Sequence, residues 1–271
     1  ETLKAEKIKS VDGVIIDSTF FDDERAHPSW SAAELNRPYA CEVSGLNFNA
    51  NCISLRVKNA GSYAHISVDP PTDYVKLVNK VRLKSSGYSA IGAYRTSVPN
   101  KLEVKGKCRK AAGFDVAIER PALFFGTVLS ERLQASGIRV NGKVEEKYIK
   151  DKPGIELLCE NSTPLADVLR RCNKDSFNLA AESLVKTISA EMTTGKIYGE
   201  WEHGLTVISR YLKAIGVDKG EFILDDGCGL SRKNRLSSNT ITTVLQRIYS
   251  TPLKDFYIDS SYDLYDREKI L

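Results

Sequence analysis

Through the first part of the chain, apolar and polar residues alternate in short runs. GVIIDSTFF, ISLRVKN, AHISVD, KVRLKS and KLEVKGKC are β-branched or alternating and are separated by Gly, Pro and Asn. That pattern predicts strands. In IRVNGKVEEKYI, Asn141-Gly142 stands between two alternating arms and predicts a tight hairpin. One helix interrupts the strands, PALFFGTVLSERLQASG, with Pro121 at its first position and Gly137 as its stop. After Pro153 the period changes. PLADVLRRC, NLAAESLVKTISA, WEHGLTVISRYLKAIG and NTITTVLQRIY all read as helices, and in the second of them Ala181, Leu184, Val185 and Ile188 form one apolar stripe. Between the last two lies EFILDDGCGLSRKNRLSS, a short strand that breaks into a glycine-containing loop. The boundary falls near residue 150: residues 1–150 are β-rich, in one or two subdomains, and residues 151–271 are helical. The fold class is α+β.

Composition narrows the function classes. The 271 residues are enough for one large domain or two smaller ones, and 42% hydrophobic with 27% charged is ordinary for a globular chain. The net charge of +4 is spread along the chain without a basic block or an aromatic-basic array, which argues against nucleic acid as a partner. No apolar run approaches the roughly 18 residues of a membrane span. The start, ETLKAEKIKS, is charged and helical in character, unlike a signal peptide, and reads like the end of a helix begun upstream. We therefore expect a chain cut from a longer precursor.

Six cysteines without a CxxC pair and three scattered histidines, His27, His65 and His203, argue against a zinc site. Cys41 and Cys52 bracket the loop-like EVSGLNFNAN ahead of the alternating CISLRV, and we expect them to form a disulfide. Closing so short a loop would contribute about 3 kcal/mol in the chain-entropy view, and it would place the protein in an exported compartment. The pairing of Cys108, Cys159, Cys172 and Cys228 stays open.

Three patterns carry candidate chemistry. In DSFNLAAESLVK, Ser176 and Asn178 flank Phe177 at a helix entrance. Both side chains could project into a cleft, or Asp175, Ser176 or Asn178 could simply cap the helix. In DDGCGLSR, Asp225 and Asp226 could act as an acid/base pair and Cys228 as a nucleophile, although turn and cap roles suit adjacent carboxylates better, and Gly227 and Gly229 suit a tight turn. Ser183 and Lys186 match SxxK, in which a lysine one turn along activates a serine. With Leu184 and Val185 facing the core, Ser183 and Lys186 are expected to face elsewhere.

Taken in order, VDGVIIDSTFFDDERAHPSW, LNFNANCISLRV, RPALFFGTVLSERLQASGIRVNGKV, NKDSFNLAAESLVKTI and LDDGCGLSRKNRLSS resemble the penicillin-binding D-alanyl-D-alanine carboxypeptidase/endopeptidase family of low-molecular-mass, class C type. The resemblance covers residues 5–258 or so. It implies a serine β-lactamase/transpeptidase-like domain, partial in this chain, into which β-rich domains are inserted. It also implies hydrolysis of D-Ala-D-Ala or cross-link peptides of peptidoglycan in the periplasm, through serine acylation and without metal or organic cofactor. β-Lactams are the implied inhibitors and peptidoglycan peptide stems the implied partners. The family's Ser-x-Asn motif falls on Ser176, the proton-relay serine, and Asn178, which contacts the substrate amide. The departures are as informative. The family's SxxK nucleophile, well before this motif, and its Lys-Thr-Gly, well after, are not found in place. Cys228 stands where serine is expected, and the tail SSYDLYDREKIL does not continue the family pattern. The chain reads as an interior portion without the acylated serine. The alternative is a non-catalytic relative or fragment that binds cell-wall peptides or partner proteins.

Overall fold

The computed structural model describes residues 2–149, 152–193 and 198–261. The tail beyond residue 261 lies outside the described residues. Two compact units are present, Glu1–Ala26 with Ser31–Cys159, and His27–Trp30 with Glu160–Leu271.

The first unit runs α1 (Thr2–Ala5), β1 (Ser10–Val11), β2 (Val14–Ile16), β3 (Cys52–Asn59), β4 (Ala64–Asp69), β5 (Lys76–Leu83), β6 (Ala90–Arg95), β7 (Lys101–Cys108), β8 (Ala112–Ala117), α2 (Pro121–Ala135), β9 (Arg139–Val140) and β10 (Val144–Glu146). β3 is central to an antiparallel sheet ordered β4-β3-β8, and β7 is central to a mixed sheet ordered β5-β7-β6. Alternation in β3 buries Ile53, Leu55 and Val57 and leaves Ser54, Arg56 and Lys58 in solvent. Those three join Leu102 and Val104 of β7, Val116 of β8, and Phe124 and Val128 of α2 in one apolar core. A smaller cluster packs Ala122 of α2 on Val14 and Ile16. Gly126 permits that approach, because a Cβ there would lie 2.6 Å from a Val144 methyl and 2.8 Å from Ile16.

Two expectations for this unit are corrected. The arms flanking Asn141-Gly142 do not pair with each other. β9 runs parallel to β1 and β10 runs parallel to β2. The two turns cross closely instead, since a Cβ on Gly142 would sit 1.9 Å from the Asp12 carbonyl oxygen. A turn signal reports that the chain bends, and the neighbouring strand ends decide its partners. The Cys41–Cys52 disulfide is also absent: both residues are free, buried thiols. Carboxamides close the loop in place of sulfur. The fully buried Asn51 donates to the Glu42 carbonyl at 2.8 Å and to Asn47 Oδ1 at 2.6 Å, while Asn47 Oδ1 accepts from the Ser44 backbone at 3.0 Å. Burial pushes the Cys41 thiol up to about 12, and burial raises Cys52 as well.

The second unit is mainly helical: α3 (Leu165–Lys174), α4 (Asn178–Glu191), α5 (Trp201–Ala214), β11 (Phe222–Ile223), β12 (Arg235–Leu236), α6 (Ser238–Tyr249) and α7 (Lys254–Ser260). β11 and β12 form a short antiparallel ribbon around the glycine loop. α4 and α5 meet at Gly204, where a Cβ would stand 2.2 Å from the Val185 carbonyl oxygen. Leu212, Val217 and Phe222 form the apolar cluster at the far end of α5. Among the described residues, no helix is long and apolar enough to cross a membrane.

The first unit makes one pH-dependent prediction. Burial holds the Glu42 carboxyl above its ordinary value, against the backbone N–H of Arg120 and the charges of Arg95 and Arg25. A carboxyl raised on folding contributes its stability below the unfolded-state value and loses it as pH climbs through the folded-state value. Glu42→Gln keeps an acceptor for Arg120. It should therefore melt at or above the wild-type temperature at pH 7.5, with the difference vanishing near pH 4. A variant less stable at pH 7.5 would show that the arginines outweigh burial.

Candidate active site around Ser176 and Asn178

α3 and α4 are joined by a turn that dictates the placement of the motif. Asp175 ends α3, and its N–H donates to the Arg171 carbonyl at 3.0 Å. Ser176 follows with φ +51°, and the Phe177 N–H returns to the Cys172 carbonyl at 3.1 Å. The Phe177-to-Cys172 bond around a left-handed residue is the outer bond of a Schellman C-terminus, whose left-handed position is normally glycine. A serine there carries roughly 1–2 kcal/mol of steric strain. Its side chain is exposed, while Asn178, the first residue of α4, is half-buried.

The N-cap of α4 is Phe177, whose side chain makes no capping hydrogen bond. α6 shows what such a cap looks like in this chain: the Ser237 hydroxyl accepts from the Thr240 N–H at 2.9 Å. Phe177 is half-buried and carries the Arg171 guanidinium 4.4 Å from its ring centre.

The face that α4 buries overturns the expected stripe. Glu182, Lys186 and Ser189 are fully buried together with Leu179, Ala180 and Val185, whereas Ala181, Leu184 and Ile188 are only partly covered. The spacing of Glu182, Lys186 and Ser189 places them on one side of the helix. Asn178 lies one turn before Glu182 on that same side. Glu182 accepts from the Trp201 indole at 2.7 Å, from the Gly227 N–H at 3.1 Å and from the Cys228 N–H at 2.8 Å. Gly227 is needed for that approach, since a Cβ would meet a Val185 methyl at 2.6 Å. The Lys186 ammonium lies 3.8 Å from the centre of the Trp201 ring, and Trp201 packs on Trp30 and His27. Ser189 accepts from the Glu200 N–H at 3.1 Å and lies 3.2 Å from His203 Nδ1.

The DDGCGLSR loop is held by its own carboxylates. Asp226 accepts from the Trp30 indole at 3.0 Å and from the backbone N–H groups of Gly229 at 2.8 Å and Ser231 at 2.6 Å. For Asp225, burial pushes the carboxyl up, but hydrogen bonds from Ser231 and Ser29 and the charges of His27 and Lys233 leave it below its ordinary value. Burial, with the Glu182 carboxylate beside it, raises the Cys228 thiol, the opposite of what an activated nucleophile needs. Glu182, Asp226 and Cys228 bring one ligand atom each within 4.8 Å of one another. The carboxylates already accept from backbone and indole donors, so the trio serves as an anchor. Asp226 is taken up in holding the loop, and the Cys228 thiol is not activated. Lys186 is buried under Trp201 and does not face away from the core as expected for SxxK.

The fold belongs to a known class. A crystal structure of penicillin binding protein 4 (dacB) from Haemophilus influenzae superposes with a TM-score of 0.78 at 25% identity, over 96% of this chain and 58% of that one. A crystal structure of the same penicillin binding protein complexed with a novel β-lactam superposes with a TM-score of 0.67 at 25% identity, over 91% and 54%. Both comparisons give the α+β, penicillin-binding and transpeptidase-like architecture. The chain belongs to the D-Ala-D-Ala carboxypeptidase 3 (S13) family, whose model matches residues 1–261. It is 28% identical over 263 residues to a D-alanyl-D-alanine carboxypeptidase of Actinomadura sp. (strain R39), covering 92% of this chain and 48% of that protein. It is 26% identical over 257 residues to D-alanyl-D-alanine carboxypeptidase DacB of Haemophilus influenzae, covering 91% and 52%. The chain thus spans about half the length of the curated relatives it matches.

Two variants test the local account. Ser176→Gly relieves the left-handed strain and should be stabilised by about 0.5–1 kcal/mol in urea unfolding, whereas a loss of stability would mean that the hydroxyl holds the turn. Glu182→Ala leaves an indole and two backbone N–H groups without their acceptor and should cost about 3 kcal/mol or more. Glu182→Gln, which keeps an acceptor, should cost clearly less. Equal losses would mean that the donors require the negative charge itself and not merely an acceptor of that shape.

Proposed function

We propose that this chain is the Ser-x-Asn-bearing part of a serine-type D-Ala-D-Ala carboxypeptidase or endopeptidase that acts on peptidoglycan peptides in an exported, periplasmic setting. The observation that carries the reading is the α3–α4 turn. A serine sits exposed in a conformation that favours glycine, two residues before the asparagine that opens a helix whose N-cap is Phe177. Strain kept at an exposed polar residue supports a functional role over a structural one. Membership of the D-Ala-D-Ala carboxypeptidase family over residues 1–261 supports the reaction class.

In this reading a nucleophilic serine from outside the chain attacks the carbonyl of the penultimate D-alanine. The terminal D-alanine leaves, and water then hydrolyses the ester. Ser176 relays the proton between the nucleophile and the leaving amine, and Asn178 donates to the substrate amide and fixes its orientation. β-Lactams would acylate the same serine, in keeping with the relative solved in complex with a β-lactam. Residues 1–150 would form the β-rich insertion, and 151–271 the helical part of the transpeptidase-like domain.

A second reading, a non-catalytic relative or fragment that binds cell-wall peptides, has one observation in its favour. The SxxK spacing in this chain falls only on Ser183 and Lys186, and Lys186 is wholly buried against Trp201.

Fluorescent penicillin separates the two. The 271-residue chain should remain unlabelled, and the product extended to include an SxxK segment should be labelled. In that longer product, Ser176→Ala should slow acylation by about 100-fold or more, the range of a lost proton-transfer group. Labelling of the 271-residue chain that is abolished by Ser183→Ala would overturn this reading. Full-rate labelling of the longer Ser176→Ala protein would remove Ser176 from the mechanism.

A further inference from the structure

Once the strands are paired, the net charge of +4 is not evenly spread. Residues 76–110 hold ten Lys and Arg against one carboxylate, Glu103, which leaves the rest of the chain with a surplus of five negative charges. No run of cations marks the stretch in the sequence. The strand period sets them singly between Val81, Leu83, Val104 and Cys108, which turn toward the core. In the parallel register of β5 and β7, Lys80 lies beside Lys105 and Arg82 beside Lys107. The bond from the Lys84 N–H to the Cys108 carbonyl, at 3.0 Å, carries the ladder on to Lys84 and Arg109. The result is three consecutive rows of two cations, about 7 Å apart along the strands. Like charges side by side in a sheet are destabilising, so this face costs the fold stability.

The neighbouring carboxylates do not offset the rows. Glu103 bonds Lys105 and Lys80, which hold its carboxyl down at about 2. Asp73 lies 3.7 Å from Lys76 at the start of β5. Glu131 and Glu119 stay at that same end of the sheet, where they accept from the backbone N–H groups of Asp73 and Asn100. Among the described residues, Arg82, Lys84 and Lys107 make no ion pair. On β6 the residues beside the rows are Gly92 and Ala90, which add no bulk. The Tyr94 ring folds back across Gly92, where a Cβ would stand 3.2 Å from its hydroxyl. That ring is half exposed, with the Lys105 ammonium 5.3 Å from its centre.

We propose that the outer face of β5 and β7 is a docking track for a linear polyanionic glycan, whose negative charges follow the rows of cations while a sugar ring rests on Tyr94. The inference is independent of the Ser-x-Asn reading. A strip two strands wide and several rows long matches an extended polymer, whereas a lipid surface calls for a broad patch. Lysine dominates the strip, and point charges on flexible stems follow a charged chain without demanding one fixed anion geometry. A nucleic-acid strand would need a succession of rings for its bases, and Tyr94 is the one ring on this strand face among the described residues.

The test titrates a size-defined oligogalacturonate, a glycan with one carboxylate on each sugar, into the 271-residue chain by calorimetry at several salt concentrations. Its neutral methyl ester serves as the control. The acidic glycan should bind, with log affinity falling linearly against log salt as counterions are released, and the ester should not. Arg82→Gln combined with Lys107→Gln should weaken binding about tenfold or more and flatten that slope by about 1–2. The double variant relieves like-charge repulsion and should melt at or above the wild-type temperature at low salt, which separates weaker binding from misfolding. Glu103→Gln frees Lys80 and Lys105 and should bind about threefold tighter than wild type. Tyr94→Ala should weaken the glycan and leave the slope intact. No binding of the acidic glycan, equal binding of the ester, or full affinity in the double variant would overturn the track. Oligothymidylate or vesicles of anionic phospholipid that bind as tightly as the glycan at the same salt would overturn the assignment to a glycan, as would full affinity in Tyr94→Ala.

Discussion

A single carboxylate organises the helical unit. Glu182 is fully buried on α4 and gathers the Trp201 indole together with the N–H groups of Gly227 and Cys228. Burying a carboxylate is unfavourable unless donors replace its water, and here three do so from two distant segments. The consequence is rotational. A helix whose inner face carries Glu182 and Lys186 cannot turn about its axis without stranding them, so Asn178, one turn earlier on that face, has its direction set. The two glycines at this junction serve the same end, since Gly204 and Gly227 let α5 and the loop approach the backbone and Val185 of α4.

Strain and anchoring then divide between the two members of the motif. Ser176 lies outside α4, in a left-handed turn closed by the Phe177-to-Cys172 bond. Asn178 is inside the helix and inherits its aim from the anchor. A glycine at 176 would make the better turn, and a capping residue at 177 the better helix start. The chain has neither. Local departures from good helix chemistry at one place, with strict satisfaction of polar groups a turn away, are the expected mark of a functional site.

Much of this was legible in the residues, and the exceptions have physical reasons. α2, with Pro121 at its start and Gly137 at its end, and the long helices of the second unit carry periodicity over ten or more residues, which single substitutions do not blur. β6 and β8 went unread because AIGAYR and AGFDVA are diluted by glycine and alanine, and their strand character comes from pairing with β7 and β3. The Asn141-Gly142 turn was read correctly as a bend and wrongly as a hairpin, because partner choice is a long-range matter. The inner face of α4 was hidden because Glu and Lys are rarely buried, so an apolar stripe was the better wager. Ser176 and Asn178 could be picked out only through the resemblance to the family's Ser-x-Asn motif, because their spacing alone suited a helix cap better, and neither the positive φ nor the brace of Arg171 on Phe177 could be seen before the turn was built.

Hydrogen exchange tests the anchoring of α4 most directly, read at two places in the 271-residue chain: the amides of Gly227 and Cys228, and the first turn of α4 from Leu179 to Glu182. If Glu182 holds the helix as well as the loop, Glu182→Ala should speed exchange at both places together by about 100-fold, the change expected when opening becomes easier by roughly 3 kcal/mol. Faster exchange in the loop with the first turn of α4 unchanged would contradict it, because the motif would then owe its placement to the turn alone.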